Sequence, residues 1–447
     1  MGFDLVRLTT ILLAILAIAS VVASRRSIAE AWRSGQRLQA ASAQVLVTGG
    51  MLTEATFVQN RALMQIGVVA LFVAILVFAE LSDGRLRRHH IQARVPPTYN
   101  RTPVLSILLL WAWLYAVNLW FMADEASNNA LYRTASGVAL VLFLITQRYR
   151  PVTLLHFYSA ALLTVSAIAV ALPFSAGIFT PCGNFKCNAI GVLLHGPFPS
   201  ENSLGFAAAM CAVLYVIAVP RSRSTAIVLA FLVATIYATY SRTSLLALGA
   251  AMALGVVQIL LSRKPAAKNA TVLANVVAMS CAVIPMIAGM ALVYRSGSGA
   301  FSDRGRIWAL GRTAASEYPV TGRGLDSWNL LTNSGFFGKH FALYPHSEYL
   351  LIYFSGGLVG LILFAVVIHR ITYIAILAQN SLARGAVLPV YFVTAAMTET
   401  IWNPLSVDVG TWIFFALVAA CVPLGQHAGR PERLDLASVR LQATPSP

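Results

Sequence analysis

Apolar stretches of about twenty residues recur along the 447-residue chain, separated by short polar turns. A helix of that length crosses about 30 Å of hydrocarbon. The pattern predicts twelve spans, at about 6–24, 62–81, 103–123, 132–147, 153–175, 203–220, 224–240, 243–262, 271–294, 347–369, 385–401 and 406–424. The ten-residue alternation of a membrane barrel is absent, so closed helices are the spanning form. No small-residue cleavage site follows the first apolar run, and 6–24 reads as a retained span. The expected fold is all-α: one polytopic transmembrane domain over 1–447, with one large hydrophilic excursion at 295–346 that carries a short surface helix.

Composition agrees with the pattern. Hydrophobic residues make up 58% of the chain and charged residues 11%, against about 25% charged in a soluble domain. A net charge of +16 would suggest nucleic acid in a soluble protein; in a membrane chain, basic residues in cytoplasmic loops set topology. The loop 82–102, the turns "QRYRP", "PRSRS" and "SRKPAAK" and the tail after 425 are basic. With twelve spans they share one face, which is then cytoplasmic together with both termini. Segment 25–61, with five arginines, fits less well. Its stretch "AQVLVTGGMLTEATF" could dip into the membrane, and an extra span there would move the N-terminus outside. Cys182 and Cys187, in "PCGNFKC", offer too few ligands for zinc but suit a small disulfide on an oxidising side.

Charge becomes informative where topology does not explain it. The external excursion 295–346 holds Arg295, Arg304, Arg306, Arg312, Arg323 and Lys339 against Asp303, Glu317 and Asp326. Arginine's planar fork binds phosphate bidentately and stays charged, so this loop reads as an anion site, with lipid headgroups as the plainer reading. "SDRGRIWALGRTAASEYP" predicts a short helix with Ser302 or Asp303 at its N-cap and Pro319 beyond its end. "TGRGLDSW" sets Arg323 between two glycines, in a turn that either contacts a ligand or is simply a turn. Arg242 stands in a very short external turn, "YSRTS", where positive charge is not favoured. In "YPHSEYLLIYFSGG", Ser347 and Glu348 suit a helix start. His346, at the helix mouth and downstream of the cations, occupies the place of a general base. Asn202 is either an N-cap or a wall of the same external cavity. No HExxH, P-loop or Asp-x-Asp pair appears, so neither a metal nor another cofactor is expected.

The order "SRTSLLALG", "GRIW", "PVTGRGLDSW", "PHSEYLLIYFSGGLVGLILF" resembles the O-antigen ligase and polysaccharide polymerase superfamily of bacterial envelope proteins, over roughly 200–365. The resemblance implies a GT-C-like helical fold in the inner membrane, a periplasmic active site and metal-independent glycosyl transfer. The implied donor is a glycan on undecaprenyl diphosphate; the acceptor is a lipid A–core or a second lipid-linked glycan. The family's essential residues fall on Arg242, on Arg306 or Arg304, and on His346; Arg312 and Arg323 are further candidates for the diphosphate. Serine stands at 347 where the family pattern has asparagine. Two other readings remain at this point. A small-anion transporter of bicarbonate type also explains external arginines but calls for polar residues through the membrane centre. A flippase for lipid-linked glycans calls for a polar path open to both faces.

Overall fold

The computed structural model describes residues 2–422 except 34–35, 84–100, 122, 150, 176, 183–185, 221–224, 261–266, 338–343, 380 and 409. Lys339, most of the basic loop 82–102, parts of the basic turns and the basic tail lie outside the described residues. The helices are α1 (Gly2–Ala23), α2 (Arg25–Ala31), α3 (Arg37–Gln44), α4 (Gly50–Leu52, joined to α3 by a π-helical stretch, Val45–Gly49), α5 (Arg61–Asp83), α6 (Arg101–Phe121), α7 (Ala123–Tyr149) and α8 (Leu154–Ala171). A hairpin of β1 (Phe179–Pro181) and β2 (Val192–Leu194) follows, antiparallel with Phe179 opposite Leu194. Then come α9 (Glu201–Ala218), α10 (Thr225–Thr239), α11 (Arg242–Leu260), α12 (Ala267–Arg295), α13 (Arg304–Ala315), α14 (Asp326–Asn333), α15 (Glu348–Ala378), α16 (Leu382–Ala395) and α17 (Thr411–Ala419). Each expected span contains a helix. Among the described residues, seven helices (α1, α5, α6, α8, α9, α12 and α15) are long and apolar enough to cross a membrane.

Helix α9 lies at the centre of the bundle, packed against α8, α10, α11 and α16. Its small residues "GFAAAMCA" let neighbouring backbones approach. A Cβ at Gly205 would stand 2.5 Å from the Cβ of Ser241, so the start of α9 is seated on the turn that leads into Arg242.

Segment 37–52 differs from its sequence reading. The Ser24 hydroxyl meets the Tyr158 hydroxyl at 2.7 Å, near the start of α8, and Ser20 reaches the carbonyl of Ile227 at the start of α10. Helix α1 therefore runs antiparallel to both. The chain then returns: Thr48 meets Thr164 at 2.7 Å, and the Thr56 N–H donates to the carbonyl of Pro197. This adds one passage along the bundle to the twelve expected. The starts of α1 and α15 then share the end that carries 172–202, which we call the loop end. Residues 420–422 lie at the far end, where Gln379 donates to the carbonyls of Ala420 and Val422. The polar sequence "RLQAASAQ" is accommodated because α8 and α5 enclose it. Hydropathy registers exposure to lipid, not burial inside protein.

Helix α15 is broken at Gly357, which has φ +62°. Segment 319–324 fills the break. The N–H groups of Arg323 and Gly324 donate to the carbonyls of Phe354 and Ser355, and those of Leu358 and Val359 donate to Pro319 and Val320. A Cβ at Gly357 would lie 2.2 Å from the carbonyl oxygen of Val320. The Trp113 indole N–H donates to the Gly356 carbonyl at 2.8 Å. The glycines of "TGRG" and "SGG" thus allow one close backbone contact that ties the large loop to the membrane helix. The pair Gly356 and Gly360 faces Leu114 of α6, a packing role.

Candidate active site

Three segments at the loop end carry strained backbone. Among the described residues the non-glycine positions with positive φ are Tyr240 (51°), Phe301 (54°), Ser302 (60°), Asp303 (69°) and His346 (52°). Such residues are uncommon and cluster where surrounding structure holds a side chain in a required place. Here they stand just before Arg242, just before Arg304, and at His346 itself. Asp303 takes the N-cap position of α13, but its side chain makes no capping bond. Ser347 caps α15, accepting from the Leu350 N–H.

Glu399 is the hub of the site. It lies beyond the end of α16, in the irregular segment 396–408, and not within a helical span as the pattern 385–401 suggested. Its side chain is 2% exposed. One carboxylate oxygen accepts from Arg304 and, at 2.7 Å, from the Asn202 amide; the other stands 3.2 Å from His346 Nδ1. Arg304 also donates to the carbonyl of Thr398. Burial alone would push the Glu399 carboxyl up, but Arg304 and His346 outweigh it and hold the group below the ordinary range. A carboxylate accepts only, so the imidazole proton belongs on Nδ1 and Nε2 keeps its lone pair. This is the carboxylate–histidine arrangement that orients a proton acceptor.

His346, Glu399, Asn202 and Tyr344 line one cleft of about 610 Å³, together with Glu54, Arg61, Arg133 and Asp408. The Tyr344 ring packs on the imidazole, with centroids 4.6 Å apart. Burial and the neighbouring Asp408 push Glu54 up to about 7. Asn202 does not cap α9; Ser200 does. The Asn202 side chain instead joins Glu399 to Lys186, whose ammonium lies 3.3 Å from Asn202 Oδ1. Cys182 and Cys187 are joined as a disulfide. Glu348 is fully buried and accepts from the N–H groups of Ile401 and Trp402 at 2.9 and 3.0 Å, so it fixes the segment that carries Glu399.

The cations separate into two groups. Arg304 is part of the hub. Arg306 is exposed on the same first turn of α13, and Arg242 is exposed at the start of α11, 5.4 Å from the Tyr240 ring centroid. Neither lines the cleft. Their neighbours meet beside it: Thr243 contacts Thr398 at 3.0 Å, and Arg304 holds the carbonyl of the same Thr398. Arg312 and Arg323 are engaged elsewhere. Arg312 donates to the carbonyls of Val293 and Tyr294, at the end of α12. Arg323 donates to Ala314 O and to Glu317 at 2.9 Å. These two arginines satisfy helix-end carbonyls, the usual place for a cation.

Sequence reasoning overlooked Glu399, Lys186, Glu54 and Tyr344 as site residues. It also overlooked a buried lock. Arg133 pairs with Asp326 at 2.5 Å, while Asn118 donates to the other Asp326 oxygen at 2.8 Å. Among the described residues no group of three or more His, Cys, Asp or Glu side chains is placed to hold a metal ion. No curated protein matches the chain. Residues 226–365, which run from α10 through the Arg242 turn and the large loop into α15, match the family described as O-antigen ligase. Through this segment, about a third of its length, the chain is similar to the O-antigen ligase family.

Proposed function

We propose that the protein transfers a glycan from an undecaprenyl-diphosphate carrier to an acceptor hydroxyl on the periplasmic side of the inner membrane. The observation that carries this reading is the His346–Glu399 contact at the wall of a cleft, with Arg304, Arg306 and Arg242 beside it. His346 Nε2 takes the proton of the acceptor hydroxyl, and the oxygen attacks the anomeric carbon. Glu399 stabilises the imidazolium that forms and holds the ring in place. The bond to the diphosphate breaks as the new glycosidic bond forms, and the arginines stabilise the charge of the departing diphosphate. Preorganised charge of this kind is usually the largest single contribution at such a site. The cytoplasmic face is then the far end of the bundle, in line with the basic turns of the sequence.

Arg242, at the start of α11, and Arg306, on the first turn of α13, are exposed and are the diphosphate ligands in this scheme. Purified protein in proteoliposomes, supplied with lipid-linked donor and acceptor, tests it. Arg242→Ala and Arg306→Ala should each lower kcat by about 10²–10³-fold. Lysine at 242 should not restore it, because a bidentate fork is required. Full transfer by both alanine variants at normal protein level would refute the assignment. Transfer should persist in EDTA; strong inhibition would contradict a metal-free mechanism. The acceptor is decided by the surface glycan of a deletion strain. Single repeats left on the core indicate a polymerase, whereas a bare core with accumulated lipid-linked polymer indicates a ligase.

A further inference from the structure

The hairpin before α9 ends in a disulfide-closed loop that reaches the base through a continuous chain of contacts. Cys182 and Cys187 close the loop that carries Lys186. The Lys186 ammonium pairs with Glu201 and donates to Asn202 Oδ1 at 3.3 Å. An ammonium only donates, so it assigns the Asn202 carboxamide: the oxygen faces Lys186 and the NH₂ faces Glu399. Asn202 Nδ2 then donates to Glu399 Oε1 at 2.7 Å, and the other Glu399 oxygen holds His346 Nδ1 at 3.2 Å. The loop is moored independently, because the Asn188 amide donates to the carbonyl of Ala238 at the end of α10. We infer that Lys186 is a positioning residue for the His346–Glu399 pair, and that the Cys182–Cys187 disulfide holds it there and makes transfer sensitive to reduction. This rests on His346 being the base.

Without Lys186, Asn202 is free to turn away. Glu399 then loses a donor and its charge acts more fully on the imidazole, while the repulsion from a nearby cation disappears. Both changes favour the imidazolium, so the acid limb of the kcat profile moves to higher pH. The other charged groups around the pair stay in place: Arg304 of α13, Glu201 of α9, Glu54 and Arg61 beside the cleft, and Asp408 of segment 396–408. Tyr344 stays as well.

The test uses the full chain in nanodiscs with lipid-linked donor and acceptor. Lys186→Met should lower kcat about tenfold, as expected when a reacting group is slightly misplaced. It should move the acid limb upward and leave the donor KM unchanged, and Lys186→Arg should restore both. Dithiothreitol gives two electrons and two protons to the disulfide, leaving two thiols and its own cyclic disulfide. That reduction should reproduce the Lys186→Met values in the wild type and add nothing in Lys186→Met, since the two act through one contact. Cys182→Ser with Cys187→Ser should match the reduced wild type. A wild-type kcat and pH profile in Lys186→Met overturns the inference, as does equal loss on reduction in both backgrounds. A His346→Ala variant that transfers normally instead overturns the base assignment, whatever Lys186 does.

Discussion

Two clusters in this protein are built from the same parts. Arg304, Glu399 and Asn202 form one; Arg133, Asp326 and Asn118 form the other. In each, an arginine and an asparagine amide converge on a buried carboxylate. Asp326 has no exposed side-chain surface, its two oxygens are bound by Arg133 and Asn118, and Arg133 also holds the carbonyl of Leu405. That cluster locks α6, α7 and α14 together. Glu399 keeps one oxygen for His346, and both line a cleft. What separates a lock from a site is therefore not the ion pair. Arg133 lines the same cleft, so the difference is whether a group that can exchange a proton occupies the last position.

Substitutions that leave the shape and change the charge separate the two clusters most clearly. Glu399→Gln keeps the shape but removes the charge that stabilises the imidazolium, and its single acceptor oxygen cannot serve Arg304 with Asn202 and His346 at once. Transfer should fall by about 10²–10⁴-fold, as when the carboxylate of a histidine–carboxylate pair is made neutral, with protein level and melting temperature changed little. Asp326→Asn should do the opposite. Leaving Arg133 buried without its counter-charge should cost about 3–5 kcal/mol of stability, read as a lower melting temperature and lower yield, while transfer per folded molecule stays near wild type. Arg323→Ala tests whether the outlying arginines belong with the lock. It should cost about 1 kcal/mol or less, from one carbonyl contact and an exposed pair with Glu317, and should leave the donor KM unchanged. The smallest effect concerns Glu54, which lines the cleft without joining the hub. Its carboxyl titrates near 7 in the folded chain and at the ordinary, lower value when unfolded. The folded state thus binds the extra proton, and stability falls as pH rises through that window. Glu54→Gln should raise the melting temperature at pH 8 and leave it unchanged at pH 4; an equal gain at both would contradict the assignment.

Much of this arrangement is legible in the sequence, and the rest is not for identifiable reasons. Apolar runs place the helices, and the misplaced positive charge of 295–346 marks the loop end. His346 stands out because it interrupts a helix start. The same charge signal cannot separate Arg304 and Arg306 from Arg312 and Arg323, since a guanidinium that binds a helix-end carbonyl and one beside a cleft look alike in one dimension. Glu399 is hidden because 385–401 reads as one span although the helix ends at Ala395. Segment 37–52 is hidden because it is enclosed by protein, and its polar residues read as an external loop. Reporter fusions at residue 2 and at the C-terminus address that passage: the added crossing predicts opposite sides for the two, and twelve crossings predict the same side.

The central claim is that His346, held by Glu399, removes the proton from the acceptor. The most direct measurement is kcat for glycan transfer by purified His346→Ala with lipid-linked donor and saturating acceptor, at matched protein level and melting temperature. The arrangement predicts a loss of about 10²–10⁴-fold with donor binding retained. Transfer at the wild-type rate would contradict it.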